Sequence, residues 1–238
     1  LSHLLPGAGF DHVLLNKLST YKQLKELKQK NYDIFVNLCE GYLEWNIPSV
    51  DVIYFMELLN LPFTGPTSLL YDPPKDLMKY VAYTAGIKTP AFALIQMLDC
   101  IETDCSHLQY PLFVKPDKAG DSLGIDEHSL VYNKEDLVKK AGSIIEEYGP
   151  LLVEEYIEGR EFTVMIAANA NDERTCSVFK PIEYIFPNGF RFKTYALKTS
   201  ELHPEANIPC NDPVLEMQLK DAALQIFRGF GGVGYARL

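Results

Sequence analysis

Apolar residues recur along this chain with two periods, and each period predicts a different kind of element. The helical period is clearest in two stretches. After Asn133, residues Leu137, Ala141, Ile144, Ile145 and Tyr148 fall at i, i+4, i+7, i+8 and i+11, one face of a helix that Asn133 caps and Gly149-Pro150 ends. From Pro213, residues Leu215, Leu219, Ala222, Ala223, Ile226 and Phe230 mark a second such face, broken over residues 229–232. Shorter helices are predicted over residues 21–30, with Leu24 and Leu27 on one side, and over residues 51–59. A fifth is expected to start from an Asp72 cap with Pro73 in its first position. It should bury Leu77, Met78, Val81 and Ala82, run to Ala85 and stop at Gly86.

Short apolar runs bounded by turn residues predict strands. They lie at residues 34–38 (of the buried type), 92–95, 151–153, 162–168, 176–186 and 233–238, with another at 190–195 entered through Pro187-Asn188-Gly189. Asn171-Asp172 reads as a turn, and Leu61-Pro-Phe-Thr-Gly-Pro66 as a short extended piece ending in a break. Residues 1–20, 39–49, 98–110 and 196–212 carry neither period and are expected to be irregular. Strand, loop, helix and extended piece in that order predict an α/β start. The later run of adjacent strands predicts an α+β remainder with antiparallel pairing.

Composition narrows the class. A chain of 238 residues, 47% of them hydrophobic, can bury a full core. Its 22 basic and 32 acidic residues leave a net charge of −10, which argues against a general nucleic-acid binder but allows a local basic pocket. No apolar run approaches the roughly 20 residues of a membrane helix, and the first residues lack the basic start and apolar core of a signal peptide. Five cysteines without a C-x-x-C pair read as reduced thiols and a cytoplasmic location, and five scattered histidines offer no metal-binding spacing. The chain starts at Leu1 rather than Met, and a fragment is expected.

Two stretches carry the candidate chemistry. Residues 113–124, Phe-Val-Lys-Pro-Asp-Lys-Ala-Gly-Asp-Ser-Leu-Gly, open as an apolar strand and become a loop punctuated by Pro116, Gly120 and Gly124. Glycines let consecutive N–H groups converge on an anion, and Lys115 and Lys118 add charge at the same place. Such a loop suits phosphate, although neither G-x-x-x-x-G-K-[ST] nor G-x-G-x-x-G is present, and by itself it reads equally as a hairpin loop with solvated lysines. In the second stretch, residues 151–161, Glu154 and Glu155 end a strand, Gly159 bends the chain and Glu161 begins the next strand. Carboxylates there could accept from an adenine amino group and from ribose hydroxyls; alone, they are most simply solvated.

Taken together, the two stretches resemble the ATP-grasp superfamily, most closely its D-alanine–D-alanine ligase branch. The resemblance also covers Leu61-Pro-Phe-Thr-Gly65, Lys75 through Pro90 and Gly234-Tyr-Ala-Arg-Leu238, and so runs from about Asp33 to the end. It implies an ATP-grasp fold, with nucleotide held between two antiparallel sheets. It divides the chain into a partial N-terminal α/β domain (1–66), a central subdomain with a phosphate flap (67–157) and a C-terminal subdomain (158–238). It implies that Lys75 and Lys115 hold ATP phosphates, and that the backbone from Lys118 through Gly120, Asp121 and Ser122 to Gly124 is the covering flap. Glu154, with backbone at Glu155 and Ile157, would read adenine, and Glu161 the ribose. Lys198 would reach the transferring phosphate, and Arg237 would steady the acyl-phosphate and the later oxyanion, with Ser122 on the substrate side of the flap.

The implied activity is ATP-dependent joining of a carboxylate to an amine through an acyl-phosphate, with ATP and magnesium as cofactors and small amino acids as substrates. A nucleotide-binding module without ligase turnover is the second reading; a homodimer is the implied assembly, with neither membrane nor nucleic acid as partner. By the same resemblance the magnesium ligands are an aspartate just after the Arg-Leu pair and a later Glu and Asn. None is expected within these residues, and the chain is expected to lack segments at both ends. Three positions depart from the family pattern: Asp121 replaces the first of paired flap serines, Thr199 replaces a tyrosine, and Cys39-Glu-Gly-Tyr-Leu-Glu-Trp45 stands where G-E-D-G is usual. All three face the substrate side and leave the identity of the amino acids open.

Overall fold

The computed structural model describes residues 3–41, 46–120, 122–169, 172–186, 192 and 206–238. Its contacts fall into two compact units, Leu1–Tyr71 and Asp72–Leu238.

In the first unit, helices α1 (Thr20–Lys28) and α2 (Val50–Leu58) pack through Leu24, Leu27, Val52 and Met56, with Leu59 and Leu61 completing the cluster. Phe35 pairs in parallel with Phe63, its N–H donating to Pro62 O at 2.8 Å and its carbonyl accepting from Thr64 N at 3.0 Å. The buried strand expected over residues 34–38 is corrected here. Phe35 packs on the cluster, but Ile34, Val36 and Leu38 are exposed. A run with one bridge to one neighbour has core on one side only, so its alternate residues face water.

The second unit begins with α3 (Lys75–Thr84). It starts later than the Asp72–Pro73 signal predicts, with Pro74 extended at its cap (ψ 148°) and its first amides taken by Asp117: Lys75 N donates to Asp117 O at 3.3 Å and Asp76 N to Asp117 Oδ1 at 3.3 Å. It buries Lys79, Val81 and Ala82, whereas Leu77 and Met78 are exposed, contrary to the periodicity reading. A four-stranded antiparallel sheet follows in the order β1 (Phe92–Ile95), β4 (Leu151–Glu155), β2 (Leu112–Pro116), β3 (Leu130–Val131). Helix α5 (Lys134–Tyr148) covers it, burying Leu137, Ala141 and Ile144 against Leu112, Val114, Leu151 and Val153. The Asn133 side chain accepts from Asp136 N, as a cap should. The connector 98–110 is more ordered than expected: it holds the short helix α4 (Ile101–Asp104) and puts Ile101, Cys105 and Leu108 into the same core.

Two three-stranded antiparallel sheets complete this unit. One has the order β10 (Tyr235–Arg237), β6 (Met165–Asn169), β7 (Asp172–Val178), and the other β5 (Glu161–Thr163), β8 (Ile182–Tyr184), β9 (Asn207–Pro209). The single strand expected over 162–168 is therefore two strands in different sheets. They part at Val164, whose N–H donates to Leu238 O at 2.7 Å and whose carbonyl accepts from Leu238 N at 3.0 Å. The run 176–186 divides likewise, between β7 and β8; Pro181, with no N–H to give a ladder, lies in the break. Strand β9 forms inside the stretch 196–212 read as a loop. The hairpin expected over 187–195 lies outside the described residues except for Phe192. Helix α6 (Pro213–Gly229) is capped by Asp212, whose side chain accepts from Val214 N and Leu215 N, and buries Ala223 and Phe227.

Candidate nucleotide-binding site

The sheet pairing places a strong charge cluster beside a cavity of about 530 Å³. One wall comes from β2 and β4, the other from β5, β8 and the end of β10. On β4, Glu154 binds two lysines through its two oxygens: Lys115 of β2 on Oε1, and Lys79 of α3 on Oε2 at 2.7 Å. Lys79 also donates to Pro90 O at 3.0 Å and lies over the Phe92 ring, 4.9 Å from its centre. Burial pushes the Glu154 carboxyl up, but Lys115 and Lys79 overcome it and hold the group below the ordinary carboxylate range. Two cations on one carboxylate leave this three-residue cluster net positive.

Lys75, at the start of α3, reaches the root of the glycine loop. Its ammonium donates to Ala119 O at 2.8 Å and Asp117 O at 3.2 Å. Burial, with the Lys115 charge nearby, lowers its pKa to about 8. The loop beyond is a succession of tight turns: Leu123 N donates to Gly120 O and Ile125 N to Ser122 O, both at 3.0 Å. Ser122 holds φ 60°, a left-handed conformation uncommon outside glycine. Gly124 has φ 72°, and a Cβ there would stand 2.7 Å from Pro116 Cγ and 3.2 Å from the Tyr148 ring. Only glycine fits, so the loop closes tightly back onto its own strand.

Of the residues expected at the site, Lys75, Lys115, Gly120 and Ser122 line the cavity from the loop side. Glu154, Glu155, Ile157, Glu161 and Arg237 line it from the strands. Lys118 is exposed and does not line it, and Gly124 packs behind the loop. Asp121, Lys198 and Thr199 lie outside the described residues. The Glu155 side chain accepts from Gln109 N at 2.9 Å. Along this edge Glu155 N donates to Ala91 O and Tyr156 N to Pro111 O, whereas the Ile157 amide has no such acceptor among the described residues.

Two features were not anticipated from the sequence. Lys79 is one; its spacing of four residues from Lys75 puts both on one helix face, and that was a readable signal. The other is an aromatic wall. Phe113 and Tyr156 stack with ring centres 6.3 Å apart, and Phe192 meets Phe113 edge-on at 4.9 Å. Sequence spacing does not join three residues so far apart.

No group of three or more His, Cys, Asp or Glu that could hold a metal comes together among the described residues, and no helix among them is long and apolar enough to cross a membrane.

Residues 81–238 match the family described as D-ala D-ala ligase C-terminus. The chain belongs to this family. The D-alanine–D-alanine ligase of Pseudomonas fluorescens is 31% identical over 186 residues, which are 76% of this chain and 53% of that protein. The enzyme of the same name from Bacillus velezensis is 31% identical over 194 residues, 76% of this chain and 52% of that protein. The chain thus spans about half the length of the curated relatives it matches. Among solved structures, the Bacillus anthracis D-alanine–D-alanine ligase complexed with ATP superposes with a TM-score of 0.67 at 21% identity, covering 91% of this chain and 66% of that one. The VanG D-Ala:D-Ser ligase of Enterococcus faecalis gives 0.63 at 24% identity, covering 78% and 53%. The D-Ala–D-Ala ligase C-terminal family and these neighbours make the fold ATP-grasp, with antiparallel sheets on both sides of the cavity.

Proposed function

We propose that this chain is the nucleotide-binding part of an ATP-dependent carboxylate–amine ligase that joins two amino acids, as its relatives named D-alanine–D-alanine ligase do. The observation that carries the reading is one cavity edged by Lys75, Lys115 and Glu154 on one wall and by Glu161 and Arg237 on the other. In this reading residues 67–157 and 158–238 form the two halves around the nucleotide, and residues 1–66 belong to a separate N-terminal domain.

Adenine enters against Phe113, Tyr156 and Phe192, its amino group toward Glu154 and its edge toward the Ile157 amide. Glu161 accepts from the ribose hydroxyls. The phosphates extend toward Lys75 and Lys115, where the amides of residues 118–124 cover them. Phosphoryl transfer asks the protein chiefly for position and for neutralisation of spread charge. An oxygen of the first substrate's carboxylate attacks the terminal phosphorus, the bond to ADP breaks, and an acyl-phosphate results. The amine of the second substrate then attacks the acyl carbon; its proton is lost, inorganic phosphate leaves and the amide remains. Arg237, which lines the cavity, would steady the negative oxygen of that step, and the covering loop would exclude water from the acyl-phosphate. Bound magnesium would supply further positive charge to neutralise the triphosphate. Lys198 would contribute a further charge at the transferring phosphate.

The test is amide formation by the full-length protein with ATP over a panel of D- and L-amino acids. One ADP and one phosphate should appear per amide, and Arg237→Ala should slow amide formation by roughly a hundredfold or more while ATP affinity holds. ATP binding without any amide across the panel would favour the second reading, a nucleotide-binding module, to which the departures at Asp121 and Thr199 give support. The panel also reads Asp121, which by the family resemblance would meet the ammonium of an incoming amino acid. Asp121→Ser should change the ranking of accepted amino acids and leave ATP affinity within about threefold.

A further inference from the structure

We propose that Lys79 is a positioning residue for the nucleotide: it holds Glu154 so that Lys115 can exchange that carboxylate for a phosphate. The inference rests on the nucleotide reading above and adds to it a change of partner.

The two lysines on Glu154 are not equivalent. Lys79 is 8% exposed and does not line the cavity. Three contacts fix its ammonium in the wall: Glu154 Oε2 at 2.7 Å, Pro90 O at 3.0 Å and the face of Phe92. Lys115 lines the cavity, with its side chain 20% exposed. Beyond Glu154, the other contact its ammonium makes among the described residues is distant, the Phe113 ring centre at 5.9 Å. A phosphate arriving in the cavity can draw Lys115 away and cannot reach Lys79.

The exchange has a cost that only Lys79 offsets. Glu154 has a side-chain exposure of 13%, and a carboxylate that buried is strongly disfavoured without a cation. With Lys79 in place, the departure of Lys115 leaves Glu154 with one counter-charge, still hydrogen-bonded, and its Oε1 turned to the adenine amine. Without Lys79, the same movement strands a buried charge. Glu154 would then compete with ATP for the one lysine both need.

The test is titration calorimetry with ATP on this chain, the melting temperature of each variant being recorded alongside. Lys79→Met keeps the length of the side chain and removes the charge; ATP affinity should fall by about tenfold or more. Lys79→Arg keeps the charge and should bind within about threefold of the unaltered chain. The decisive variant combines Lys79→Met with Glu154→Gln. The glutamine still offers an oxygen to the adenine amine but cannot hold Lys115 as an ion pair. Lys79→Met should therefore cost little in that background. An equal loss in both backgrounds gives Lys79 a packing role only and overturns the exchange, as does wild-type affinity in Lys79→Met. Should Lys79→Met alone not fold, the comparison of Glu154→Gln with the double variant answers the same question. If the unaltered chain binds ATP and these variants behave additively, the exchange fails and the nucleotide reading stands. If the unaltered chain binds no ATP, both fall.

Discussion

Gly229 on α6 lies against Val81 on α3 so closely that a Cβ on the glycine would stand 2.5 Å from Val81 Cγ1. The two helices meet there without room for a methyl group. Alanine normally favours a helix over glycine by about 1 kcal/mol, but overpacking a tight contact costs about 1–3 kcal/mol. Gly229→Ala should therefore destabilise the chain, by up to about 2 kcal/mol, in urea unfolding. Val81→Ala should relieve most of that loss when combined with it. A more stable single variant would show that the helices separate easily.

Arg160 and Glu183 are joined by two hydrogen bonds, Nε to Oε1 at 2.7 Å and Nη2 to Oε2 at 2.6 Å. They tie the start of β5 to β8 next to Glu161, and the guanidinium also lies 4.9 Å from the centre of the Phe162 ring. Glu183 is 8% exposed, and its bonds to Arg160 hold its carboxyl below the ordinary range against the opposing effect of burial. Arg160→Gln should lower the melting temperature, because it leaves that carboxylate without its cation. Adding Glu183→Gln should restore part of the loss. A double variant less stable than the single one would contradict the pairing argument.

How far the sequence could be read follows from the same residues. Helix α5 was legible because its cap, apolar face and Gly-Pro stop agree within one short stretch. The lysine–glutamate pair at the cavity was legible as two motifs, though not as a bond, since the pairing of Phe113 with Glu154 across β2 and β4 is set by register. Periodicity failed where tertiary contacts decide. Residues 162–168 read as one strand, but Val164 pairs with Leu238, more than seventy residues away, and divides the run between two sheets. Leu77 and Met78 read as core, but the face of α3 that packs is the one carrying Lys79, Val81 and Ala82.

Lys75 gives the site a pH dependence whose sign can be worked out. Its pKa is lowered to about 8, chiefly by burial and then by the Lys115 charge, so the cation is partly lost above that pH. Phosphate favours the charged form, so ATP affinity should fall as the pH rises through about 8. Folding responds in the opposite sense. The unfolded chain keeps this proton to higher pH, so the Lys75 contribution to stability rises between pH 8 and the ordinary lysine range. In Lys75→Arg, which stays charged, the fall in ATP affinity should be largely absent. Identical pH profiles for the two proteins would remove Lys75 from the phosphate site.

Nucleotide in this cavity should rest its phosphates on Lys115, and calorimetry with ATP on Lys115→Ala reads that contact alone. Lys79 remains on Glu154 in that variant, so the fold should persist and its melting temperature serves as the control. Binding should weaken by about 1.5–3 kcal/mol, the loss of a charge-assisted hydrogen bond to phosphate. An unchanged ATP affinity in a folded Lys115→Ala chain would contradict it.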